Sequence, residues 1–178
     1  GSQEEMWQRV LQLQFAVDPI EVITWMAERG LPATLQAYAG PNGAGTLSRR
    51  SSPLTIAQWT GSVRNAMQAV PGHGAFMSAL KRAAYTADER LLFVNTGVDV
   101  QRPVKEQSDV FWWAGRSFAA INDRYGQYTK IIRGFDPDHD GYAETEFTMT
   151  VDGGCGFDGA LLAVCIELDG TVIDRLES

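Results

Sequence analysis

Leu91-Leu92-Phe93-Val94-Asn95-Thr96-Gly97 is the stretch that decides how this chain reads. Four apolar residues between Arg90 and Asn95 have the length and composition of a short buried strand. The polar Asn95 and Thr96, followed by Gly97, then fall at a strand end, a common place for ligands in open sheets.

Further signals of the same kind follow towards the C-terminus. Thr129 to Arg133 predicts a second short strand. Glu144 to Val151 alternates, with Phe147, Met149 and Val151 on one face, and Leu161 to Ile166 is apolar on both sides. Turns at Asp152-Gly153-Gly154 and Asp169-Gly170 lead to a last strand at Thr171 to Leu176. Between the first two strands, Asp109 to Phe118 carries Phe111, Trp112 and Trp113 and predicts a helical or irregular core segment.

Towards the N-terminus the period changes to that of helices. Met6, Val10, Leu11 and Leu13 give Glu4 to Leu13 an apolar face, with acidic residues in its first turn. Asp18-Pro19 has the form of an N-cap and first helical residue, and Gly30 stops the helix. Gly40 to Ser52 is rich in Gly, Asn, Ser and Arg and predicts a mobile loop. Ser52-Pro53 opens another helix to about Ala69, Pro71-Gly72 breaks it, and a fourth spans about Ala75 to Ala84. The order predicts an α+β fold with helices first and a mostly antiparallel sheet after them. The whole reads as a single domain over 1–178, mainly helical over 1–84 with the mobile loop at 40–52, and strand-rich over 85–178.

Composition narrows the function. The 178 residues are 44% hydrophobic and 21% charged, with a net charge of −7. Such a balance argues against general affinity for nucleic acid or an anionic membrane. The basic pairs Arg49-Arg50 and Lys81-Arg82 are short enough to be solvated faces. No apolar run is long enough for a transmembrane helix and no signal peptide is visible, so the expectation is a cytoplasmic protein. Cys155 and Cys165 are expected as buried thiols in a reducing compartment. With only His73 and His139 besides, a zinc site lacks ligands.

Three further segments could carry chemistry. Arg133-Gly134-Phe135-Asp136-Pro137 is a second strand end with a glycine. Asp136 to Gly141 has the DxDxDG spacing of a calcium loop. However, Phe147 stands at its twelfth position and no helix is predicted on either side, which favours a solvated acidic turn. Asp152 to Gly159 is glycine-rich without a following helix, which suits tight turns rather than a dinucleotide.

Taken in order, these segments resemble the C-terminal part of a PPP-type serine/threonine phosphatase, a bacterial-type metallophosphoesterase. Leu92-Phe93-Val94-Asn95-Thr96-Gly97 is similar to the family's LFVHAG, and Arg102-Pro103-Val104 to its RPGVPL stretch. Val110-Phe111-Trp112 is similar to LLW, and Ile131 to Pro137 to VVHGHTP. Val151 to Val164 is similar to the closing IDTGACFGGRLTAL hairpin. The resemblance covers roughly residues 85 to 170 and implies part of an α/β/β/α sandwich.

It also implies a degenerate centre. In the family two divalent metals, such as manganese, activate a water for attack on phosphorus. Two of its histidine ligands fall here at Asn95 and Phe135. An amide oxygen binds a metal weakly, and a phenyl ring does not bind one. The phosphate-clamping arginine falls near Ala114, with Arg116 two places on. Arg116, Arg133 and Asp136 are the remaining candidates for the phosphate or metal vicinity. The family's GDxHG, GDxxDRG and GNHE motifs are not present. The resemblance therefore implies a catalytically inactive, pseudophosphatase-like domain without catalytic residues, resident metal or other cofactor. Such a domain acts through a protein partner or a homo-oligomer. The alternative is the C-terminal portion of an active metal-dependent phosphatase completed by an N-terminal segment. Because the family fold stacks two sheets, an open sheet edge or face is expected.

Overall fold

The computed structural model describes residues 1–40 and 45–178 and divides the chain into two compact units. One is Ser2–Leu80; the other is Lys81–Ser178 with Gly1. Of the predicted loop at 40–52, residues 41–44 lie outside the described residues.

The helical unit follows its capping signals. Helices α1 (Ser2–Val10), α2 (Pro19–Ala27), α3 (Leu31–Ala39), α4 (Pro53–Gln68) and α5 (His73–Ala79) are joined by short turns and the segment around 41–44. The Asp18 carboxylate accepts hydrogen bonds from the N–H groups of Ile20 and Glu21 at 3.1 and 2.9 Å. The Ser52 hydroxyl accepts one from Thr55 at 3.1 Å. These satisfy donors that the first helical turn leaves without partners. Gly30, at φ 91°, both ends the α2 region and caps α3, a helix that periodicity alone did not define. The core gathers Met6, Trp7, Val10, Leu13, Met26 and Leu31 against Ile56, Trp59, Val63 and Met67.

The strand-rich unit holds seven strands: β1 (Ala83–Tyr85), β2 (Leu91–Val94), β3 (Lys130–Arg133), β4 (Ala143–Glu144), β5 (Thr148–Thr150), β6 (Leu162–Ile166) and β7 (Val172–Glu177). Short helices α6 (Val110–Trp113) and α7 (Gly115–Phe118) sit in the β2–β3 connection. The first five strands form one sheet in the order β1-β2-β3-β5-β4; β6 and β7 form a second, two-stranded sheet.

Several expectations change here. The five-stranded sheet is mixed rather than mostly antiparallel: β2-β3 and β3-β5 are parallel, and only its edge strands β1 and β4 run antiparallel. The long connection between β2 and β3 permits the crossover that parallel pairing needs. The helix expected to reach Ala84 ends at Ala79, because Ala83 to Tyr85 pair with Val94 to Leu92. Alanine's helix preference is a weak prior against a ready ladder. Glu144 to Val151 is not one strand but a tight hairpin, closed by the Thr145 N–H to the Thr148 carbonyl at 2.8 Å. Both cysteines are exposed rather than buried. Cys165 lies on the outer face of β6, and Cys155 lies in the turn between β5 and β6.

Pleating sends alternate residues of the large sheet to opposite faces. Leu92, Val94 and Ile131 pack with Phe111, Phe118, Tyr125 and Tyr128. Leu91, Ile132 and Met149 face the other way, with Phe93, Val164, Ile166 and Val172 against them.

Candidate functional site at the strand ends

The parallel strands β2, β3 and β5 end side by side, and the polar residues that follow them form one cluster. The Asn95 carbonyl accepts hydrogen bonds from the N–H groups of Gly134 (3.1 Å) and Phe135 (2.9 Å), which ties the end of β2 to that of β3. The half-buried Asn95 side chain accepts from the Thr96 hydroxyl at 2.8 Å. Asn95, Arg133, Phe135 and Asp136 are thus brought together. Arg116 is exposed on α7 and takes no part in the cluster's hydrogen bonds.

Arg133 is the buried centre of the group. Its guanidinium pairs with the Asp136 carboxylate at 2.6 Å, with both side chains below 10% exposed (7% and 8%). It also donates to the Thr150 hydroxyl at 2.8 Å and to the Gly115 carbonyl at 3.3 Å, and lies 4.6 Å over the Phe118 ring. Such a set offsets the cost of burying a charge. Gly115 is required at that contact: a Cβ would stand 2.4 Å from Pro137 Cγ and 2.9 Å from Thr96 Cγ2.

Beside this pair, Asp152 clamps two loops. Its carboxylate accepts from the N–H groups of Asp136 and Gly154, each at 2.8 Å, and its Oδ2 lies 3.2 Å from His139 Nδ1. Burial pushes the Asp152 carboxyl up, but the two backbone donors and the histidine outweigh it and hold it below the usual carboxylate range. The His139 ring stacks on Phe157 at 3.9 Å and meets the edge of Phe135 at 5.3 Å. His139 has a left-handed backbone, at φ 53°.

Sequence reading singled out the segment Asp152 to Gly159 but did not join Asp152 or Phe157, nor Thr150, to this cluster. Asp152 did carry a signal: like Asn95 it is a polar residue just past a predicted strand, and parallel pairing places both at the same end. The DxDxDG stretch is built differently from a calcium loop. Asp136, its first carboxylate, is committed to Arg133 and to the Asp138 N–H (3.2 Å), while Asp138 and Asp140 are exposed. No protein-family model, curated protein or solved structure matches the chain.

At the two positions where the resemblance puts histidine ligands, the Asn95 oxygen accepts from the Thr96 hydroxyl and Phe135 offers no donor atom. Among the described residues no helix is long and apolar enough to cross a membrane.

Proposed function

We propose that the strand-rich unit is a non-catalytic, metallophosphoesterase-like domain that works by binding another protein. The buried Arg133–Asp136 pair carries this reading. A cation with its own counter-ion and two further acceptors fills the strand ends where the resemblance would put metal-bound oxygen chemistry. The resemblance and the substitutions Asn95 and Phe135 support the same view. The exposed apolar residues on and beside the second sheet, Leu161, Ile173 and Leu176 among them, support a protein partner.

The test is manganese titration calorimetry with a phosphomonoester assay on the same preparation. No saturable heat and no turnover are the expected results. Two manganese ions per chain with turnover abolished by Asn95→Ala would overturn the proposal and restore the active-phosphatase alternative.

A further inference from the structure

We infer that the free edge of β6 is a docking site for an extended, neutral-to-basic segment of a partner protein, which adds to the second sheet as a third strand. The inference rests on the partner-binding reading above and names where and how the partner is held.

The edges of the two sheets differ in their protection. β1 and β4, at the edges of the large sheet, are three and two residues long. β7 carries Asp174, Arg175 and Glu177. Short strands and edge charges are the usual guards against unwanted pairing. β6 is five residues long, reads Leu-Ala-Val-Cys-Ile, and has no charge and no proline. Among the described residues it pairs only with β7.

The ladder fixes which main-chain groups face outward. Leu161 and Ser178 exchange both hydrogen bonds, at 3.3 and 3.1 Å. Hydrogen-bonded and non-bonded pairs alternate in an antiparallel ladder. In the register Leu162↔Glu177 and Val164↔Arg175, the N–H and C=O of Leu162 and Val164 therefore point away from β7. Beside β6 runs a groove of about 360 Å³, with Phe93, Ile132, Met149 and Val151 from the large-sheet side and Val164 and Ile166 along β6 among its lining. A strand laid there finds main-chain partners on one side and an apolar floor for alternate side chains.

Charge and shape choose the occupant. The chain has a net charge of −7, and Glu167 and Asp169 follow β6 directly, so basic flanks on the incoming strand are favoured. A second copy fits poorly. It carries the same net charge of −7, which opposes its docking against its own edge.

The probe is a synthetic eight-residue peptide alternating valine and threonine between terminal lysines, titrated against the full chain. Saturable binding is expected. Val164→Pro removes an outward N–H without touching the β7 ladder and should weaken binding about tenfold. Glu177→Pro, whose N–H faces outward in the non-bonded pair with Leu162, makes the same kind of change on the opposite edge and should leave affinity unchanged. Ala163→Lys, an exposed position outside the core, should weaken binding without lowering the melting temperature, which separates edge blockage from misfolding. No saturable binding, equal effects of the two prolines, or an affinity indifferent to both β6 variants would overturn the inference. A wild-type dimer that Val164→Pro dissociates would overturn it in favour of a second copy. Phosphomonoester turnover sinks only the non-catalytic reading, because none of these β6 outcomes depends on it.

Discussion

The two faces of the five-stranded sheet use the same strands to opposite ends. On one face Leu92, Val94 and Ile131 are covered by a bed of aromatic residues, and even the charge of Arg133 is fully engaged. On the other, Leu91, Ile132 and Met149 are buried under the two-stranded sheet, while Phe93 is only half-buried and a groove remains beside it. An isolated hairpin is marginal in water and needs that contact for its own stability. On the docking proposal above, the closed face carries stability and the open one recognition.

The largest effect should come from breaking the closed face at its charged centre. Arg133→Ala strands the Asp136 carboxylate, which is 8% exposed, and strips the cover from Phe118. A loss of about 3–5 kcal/mol is expected by denaturant unfolding, as for removal of one partner from a buried pair. A change below about 1 kcal/mol, the scale of exposed pairs, would mean that the pair is solvated and the face not closed. Apolar truncations sharpen the contrast on adjacent residues of one strand. Leu92→Ala, at a fully buried site, should cost about 2–5 kcal/mol. Phe93→Ala, which removes a half-buried ring beside the groove, should cost well under the about 3–5 kcal/mol of a fully buried phenylalanine. Equal costs would erase the distinction between the faces.

How much of this was legible depended on the range of the interaction. The caps at Asp18 and Ser52 and the apolar run Leu91 to Val94 are local, and all three formed where the sequence placed them. The strand that begins at Ala83 was hidden because its partner lies along β2, and alanine says nothing about a neighbour in space. Parallel pairing was hidden for the same reason, and with it the meeting of Asn95, Arg133 and Asp152 at one end of the sheet. The exposed Cys165 thiol has another origin. Leu161 to Ile166 is apolar on both faces, which reads as full burial, yet one of those faces is left open.

The smallest of these effects lies at the rim of the closed face, where Asp152 joins the loops after β3 and β5. Asp152→Asn keeps the shape but leaves one acceptor oxygen where two accepted, so an amide NH2 must face the N–H of Asp136 or Gly154. A cost of about 1–2 kcal/mol is expected at neutral pH. The sign of the pH dependence follows from the depressed carboxyl. An unfolded chain binds a proton at Asp152 near its ordinary value of 3.8, before the folded chain does. Its contribution is therefore complete above that value and is lost as the pH falls through the lower folded one. The stability difference between wild type and Asp152→Asn, followed by chemical unfolding from pH 7 downward, should not shrink before about pH 4 and should shrink below it. A difference that shrank already between pH 7 and 5 would show that the carboxyl is not held low by its donors, and the rim would then belong with the open face.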